Sequence, residues 1–233
     1  MPPRVASARI TLRFQSVSPE PPPELESQRP DGLVVGEDHF ARCWWGEATA
    51  DYRAYHDDEW GRPVTDDHRL FEKLSLEGFQ AGLSWLTILR KRPAFRTAFA
   101  GFDFRRVASF DDRDDVSRLL EDAAIIRHRG KIEAVINNAR RTLELVEREG
   151  SLAHFIWSFE PPEGSAPTAR TAMPAFTDAS RALARELKRR GFKFLGPTTV
   201  YAFMQSMGLV NDHLSGCHAR ARADAERQAL IRP

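Results

Sequence analysis

Cys43-Trp-Trp-Gly-Glu-Ala-Thr-Ala-Asp-Tyr-Arg-Ala-Tyr-His-Asp-Asp-Glu-Trp60 is the stretch on which the rest of the chain turns, with a cysteine, a histidine, three tryptophans and two tyrosines crowded together. Far downstream, His213-Leu-Ser-Gly-Cys217 sets a histidine and a cysteine four apart. A helix would project that pair from one face, toward one metal ion. Cys43 and Cys217 are the only cysteines, and His56 and His213 stand near them. The two half-sites predict one tetrahedral zinc centre per chain, with Cys43, His56, His213 and Cys217 as a closed ligand set and the ion in a structural role. Two other readings compete. A single long-range disulfide leaves both histidine spacings unexplained, and two ordinary buried cysteines beside surface histidines need no ion.

Around that frame, 233 residues with 42% hydrophobic and 29% charged side chains are enough to bury a real core. The formal net charge is only +1, so any nucleic-acid contact must come from a local patch. No apolar run approaches the ~20 residues of a membrane helix, and two cysteines fit a reducing, cytoplasmic compartment. Residues 1–38 carry Pro2, Pro3, Pro19, Pro21, Pro22, Pro23 and Pro30 and read as a disordered tail. Arg4, Arg9 and Arg13, with no acid before Glu20, faintly resemble an organelle transit peptide, a weaker alternative to a plain tail. The expected plan is that tail, one domain over 39–220, and a short C-terminal tail over 221–233, in a monomer with no membrane attachment.

From Asp66 onward the pattern is helical, and no segment alternates convincingly as a strand. Leu70, Phe71, Leu74 and Glu77 share one helix face, capped by Asp66 or Asp67. Ser84 caps a following helix that stops before Pro93. Ile132, Val135, Ile136, Ala139, Leu143 and Val146 form a long stripe ending at Gly150. Further helices run from about Asp178 to Arg190 and, last, from Pro197 to just before Gly208. The stretch between Phe159 and Thr177, with four prolines, reads as a surface loop. The fold class is therefore all-α. Glu77, on an apolar stripe, is a buried acid that needs a partner or a function, although a helix-end glutamate can also turn to solvent.

Five separated motifs, spread over roughly residues 40 to 218, resemble the DNA-3-methyladenine glycosylase I family of the helix-hairpin-helix superfamily. They are Cys43 with Trp45; Tyr52-x-x-Tyr55-His56-Asp-x-Glu59-Trp60-Gly; Leu76-Glu77-Gly-x-Gln80-Ala-Gly-Leu-Ser-Trp85; Ile125-Ile-Arg-His-Arg-Gly-Lys131; and Gly208-Leu-Val-Asn-Asp-His213-x-x-Gly-Cys217. The resemblance implies hydrolysis of the N-glycosidic bond of 3-methyladenine in alkylated double-stranded DNA, by base flipping and without lyase activity. It puts Glu77 in the base pocket as the reader of the base, with Trp85 stacking, Tyr55 in contact, Trp45 closing the other side, and Trp60 and Tyr52 in support. An extruded base regains roughly 1 to 3 kcal/mol from a ring face. For each aromatic residue alone, core packing is the commoner role.

The same resemblance makes Arg127, Arg129, Gly130 and Lys131 a phosphate-holding turn before the long helix, where the residues alone read equally well as a solvated cluster. Gly82 and Leu83 form a tight link whose apolar tip could fill the gap behind a flipped nucleotide. Trp44, where the family commonly has a small residue, and Phe79, in place of a polar one, depart from the pattern beside expected pocket positions. No lysine stands in a setting that suggests a Schiff-base nucleophile. A zinc-stapled helical module that binds damaged DNA without cutting it is the alternative, as is a helical interaction protein with no nucleic-acid role.

Overall fold

The structure, a computed structural model, describes residues 31–233. The proline-rich tail and the transit-peptide alternative thus lie almost wholly outside the described residues. Ten α-helices follow a small hairpin: α1 (Ala50–Asp58), α2 (Asp67–Gln80), α3 (Trp85–Ala98), α4 (Phe104–Ala108), α5 (Asp114–Glu121), α6 (Arg129–Glu149), α7 (Leu152–Trp157), α8 (Asp178–Arg189), α9 (Pro197–Ser206) and α10 (Arg220–Ala229). The all-α expectation holds for the bulk of the chain.

The hairpin corrects the expectation of no strand. β1 (Leu33–Val35) and β2 (Ala41–Cys43) pair antiparallel, with Leu33 opposite Cys43. Three-residue strands are too short to show alternation, and a buried arginine holds them. Arg42, 2% exposed, bonds Asp38 at 2.7 Å, Glu47 at 2.6 Å and Asp57 at 2.8 Å. That network fixes β2 to the 3-10 turn Trp44–Glu47 and to α1, so a boundary at residue 38 cuts through ordered structure.

Helix α2 is the hub, with α3, α6, α7 and α9 packed on it. Its buried residues are therefore not one stripe but nearly all of Leu70 to Phe79, Lys73 and Glu77 included. A helix buried all round is what such a position demands. Asp66 caps it by accepting from Arg69 N–H at 2.8 Å, while Asp67 reaches the start of α7 and accepts from Ala153 N–H at 2.8 Å. Ser84 caps α3 as expected. The helix does not stop at Pro93, however, but continues to Ala98, because Phe95 and Ala98 go on burying against the core beyond the proline. Gly150 ends α6 with φ +88°. Residues 221–233 are not a tail. The Ala- and Arg-rich run Arg220–Ala229 is helix α10, and its Arg227 is buried on Glu160 at 2.9 Å and on the Leu209 carbonyl at 3.1 Å.

Candidate active site

Thr49 caps α1 by accepting from Tyr52 N–H, which sets His56 in the helix's last turn, facing the end of β2. The partner half-site follows α9. His213 and Cys217 lie on irregular backbone, not on a helix, and a turn brings them together through a 2.9 Å bond from Cys217 N–H to Leu214 C=O. The ligand atoms of Cys43, His56, His213 and Cys217 all fall within 4.8 Å of one another, and all four residues are buried. His213 Nδ1 lies 3.9 Å from Cys43 Sγ and 3.6 Å from Cys217 Sγ, and His56 Nε2 lies 3.5 Å from Cys217 Sγ. Both thiols are free, which removes the disulfide reading.

The other ring nitrogens are held as a metal site requires. His56 Nδ1 meets Asp57 Oδ1 at 2.8 Å, and His213 Nε2 donates to the Trp60 carbonyl at 3.2 Å. Burial works against the charge of Asp57, but hydrogen bonds from Arg42, His56 and His218 outweigh it and hold the carboxyl below its ordinary range. Gly61, at φ +78°, leaves no room for a side chain: a Cβ there would sit 2.9 Å from His213 Nε2. Two soft sulfurs and two imidazoles in a closed shell fit a metal ion.

Next to this cluster opens a cavity of about 490 Å³. The residues expected around a base, Trp45, Tyr52, Tyr55, Trp60, Glu77 and Trp85, all line it. Trp45 packs edge-on against Trp60 at 5.1 Å and against His56 at 5.0 Å, while Trp60 meets His213 at 4.7 Å. The Cys/His cluster therefore buttresses one wall of the cavity. Tyr55 and Trp85 form another wall, with ring centres 5.4 Å apart. Tyr52 has a positional task, since its hydroxyl accepts the Leu86 N–H at 2.9 Å and so satisfies an orphan donor in the first turn of α3 beside Trp85. The indole N–H of Trp85 has no hydrogen-bond partner among the described residues. Of the two departures from the family pattern, Trp44 does line the cavity, whereas Phe79 is wholly buried against Phe95 in the core.

Glu77 is buried as the helix face predicted, and its partner is Lys73, with Nζ 2.9 Å from Oε1. The sequence reading missed this residue. One turn upstream on the same helix, at i−4 from Glu77, is the spacing that could have found it. It also missed the far wall. The loop after Phe159 brings Arg170 and Met173 to the cavity, and α9 brings Tyr201 and Gln205. Both α9 side chains donate to Asp212, Gln205 at 2.9 Å and Tyr201 at 2.5 Å, next to His213 of the cluster.

The expected DNA-contacting residues separate. Gly82 and Leu83 are exposed between α2 and α3, Leu83 at 41%. Arg127 and Arg129 are exposed where α6 begins, with Arg129 loosely paired to Glu133 at 3.4 Å. Lys131 is buried instead: its ammonium donates to the Phe79 carbonyl at 2.9 Å and the Ala81 carbonyl at 2.5 Å, closing the end of α2. A Cβ at Gly130 would meet only ordinary neighbours, His128 and Phe194 at 3.5 Å, so the protein's own packing does not call for a glycine there.

The profile of the Methyladenine glycosylase family matches residues 44–221. DNA-3-methyladenine glycosylase 1 of Escherichia coli (strain K12) is 50% identical over 178 residues, which span 76% of this chain and 95% of that protein. A crystal structure of 3-methyladenine DNA glycosylase I, 50% identical, superposes with a TM-score of 0.72 over 76% of this chain and 98% of the other. The Staphylococcus aureus 3-methyladenine DNA glycosylase I, a structure concerned with 3-methyladenine recognition, is 38% identical, with a TM-score of 0.72 over 75% and 94% of the two chains. Family profile, sequence and architecture agree over a span that carries the cavity and His56, His213 and Cys217, with Cys43 one residue before the profile match, and this chain belongs to the methyladenine glycosylase family.

Proposed function

We propose that the protein removes 3-methyladenine from alkylated double-stranded DNA by extruding the base into the aromatic cavity and hydrolysing its N-glycosidic bond. The observation that carries the reading is a cavity walled by Trp45, Tyr55, Trp60 and Trp85 with a buried carboxylate, Glu77, inside it. Methylation at N3 leaves the purine cationic in DNA and already a good leaving group. Extrusion, stacking and discrimination are then the main tasks left to the protein. Glu77 accepts hydrogen bonds from the exocyclic amine and ring edge of an adenine-type base, and it repels the carbonyl that guanine offers there.

The same reading assigns Arg127, Arg129 and the Gly130 backbone at the start of α6 to a DNA phosphate, and Leu83 at its exposed tip to the gap behind the flipped nucleotide. A single zinc ion in the four-residue cluster supplies rigidity, not chemistry, and fixes Trp60 and Trp45. No lyase step is assigned to Lys73. Burial pushes its ammonium down to about 8, opposed by Glu77, so it stays charged at neutral pH, and its donors are engaged with Glu77 and Tyr55.

Incubation with a methylated duplex tests the reading. Free 3-methyladenine should appear, leaving abasic sites whose strands break only on later alkali treatment. Tight abasic-duplex binding without base release would replace the glycosylase with a non-cutting binder.

A further inference from the structure

A lysine buried at the hub of an apolar core needs an account. Lys73 is 5% exposed. Its Nζ lies 2.9 Å from Glu77 Oε1, donates to the Tyr55 hydroxyl at 2.8 Å, and stands 3.2 Å from the centre of the Trp85 ring. Its three N–H donors thus match one carboxylate, one phenol and one ring face. All three partners are residues given above to the base.

The cation alters what the cavity offers a positive purine. Glu77's charge is already matched, and one face of Trp85 already carries a cation. In the hydrolysis the C1′–N9 bond breaks and its electron pair stays with the purine. Positive charge passes to the sugar, and water bonds to C1′ and releases a proton to solvent. The base is therefore cationic when bound and neutral when it leaves. A fixed cation nearby disfavours the first state more than the second, and only such a difference speeds the bond-breaking step.

We propose, resting on the glycosylase reading, that Lys73 is an electrostatic residue of the base site that promotes charge loss from the methylated purine and weakens the hold on the cationic lesion. Lys73→Gln tests this, since it removes the charge and keeps an amide donor near Glu77; Lys73→Met serves if the glutamine variant does not fold. Single-turnover release of 3-methyladenine is followed over a range of enzyme concentrations. The maximal rate should fall about tenfold, the order expected of a nearby unit charge partly offset by its carboxylate, and the half-saturating concentration should fall with it. Loss of mere packing would raise the half-saturating concentration. A raised or unchanged half-saturation, or an unchanged rate, overturns the inference and leaves the glycosylase reading standing. Absence of release by the wild type removes that reading and this inference together.

Discussion

The Cys/His cluster and the aromatic cavity share one wall, the Trp45–Trp60 pair, yet they treat their polar groups in opposite ways. In the cluster each histidine's ligand nitrogen faces a sulfur and its other nitrogen is tied to Asp57 or to the Trp60 carbonyl, within a closed shell. In the cavity the buried Lys73–Glu77 ion pair lines about 490 Å³ of open space. A saturated cluster can only hold the fold together. A buried carboxylate on the wall of an open, mostly aromatic cavity is poised for a ligand. On the proposed reading the first serves stability and the second recognition.

Breaking the closed side should have the largest effect. Cys43→Ala or Cys217→Ala is expected to abolish a metal content of one ion per chain and to lower Tm steeply, because a structural zinc site contributes on the order of 10 kcal/mol to folding in small domains. Elemental analysis with thermal unfolding checks this, and a metal-free variant as stable as the wild type would contradict the division of roles. The open side should instead show the cost of a buried charge. Lys73 has its pKa lowered from 10.5 to about 8 by burial, with Glu77 resisting, so the unfolded chain binds the proton more tightly than the folded one. Its unfavourable contribution is present in full below pH 8 and is relieved as pH rises toward 10.5. Lys73→Met should therefore flatten a rise in stability of about 3 kcal/mol across that window.

Smaller effects sharpen the comparison at the end proposed to face DNA. Lys131→Ala strands two carbonyls of α2 and should cost about 1 to 3 kcal/mol of stability, with little change in how duplex affinity depends on salt. Arg127→Ala with Arg129→Ala should do the reverse. Tm should stay constant while the salt slope falls by about 0.9 for each DNA phosphate that an arginine no longer neutralises. A fall in the slope for Lys131→Ala alone would return that residue to the phosphate site.

Part of this was legible in the sequence: residue type and spacing bring out the Cys/His cluster, helical periodicity the buried acid, and the family resemblance the aromatic residues that line the cavity. The helix caps at Ser84 and Gly150 were equally plain, and Asp66 was one of two candidates beside Asp67, since each rests on local backbone chemistry. What stayed hidden depends on tertiary context. Strands of three residues leave no periodicity, and Pro93 reads as a stop unless the burial of Phe95 and Ala98 beyond it is known. Arg227 in the supposed tail, Lys131 in the supposed phosphate turn and Lys73 beside Glu77 are cations that read as solvated until their buried partners appear.

The central claim is that Glu77 reads the base while the metal cluster holds the fold, and Glu77→Gln tests it most directly. Glutamine leaves Lys73 an amide oxygen to donate to, whereas alanine would strand the buried ammonium at a cost of about 3 to 5 kcal/mol. Single-turnover release of 3-methyladenine, abasic-duplex affinity and Tm are measured on variant and wild type. Release should fall about 10- to 100-fold, matching about 1.5 to 3 kcal/mol for a hydrogen bond to a charged group, while metal content, abasic affinity and Tm hold. Unchanged release would show that another group reads the base; a joint collapse of release, abasic affinity and Tm would make Glu77 a structural residue.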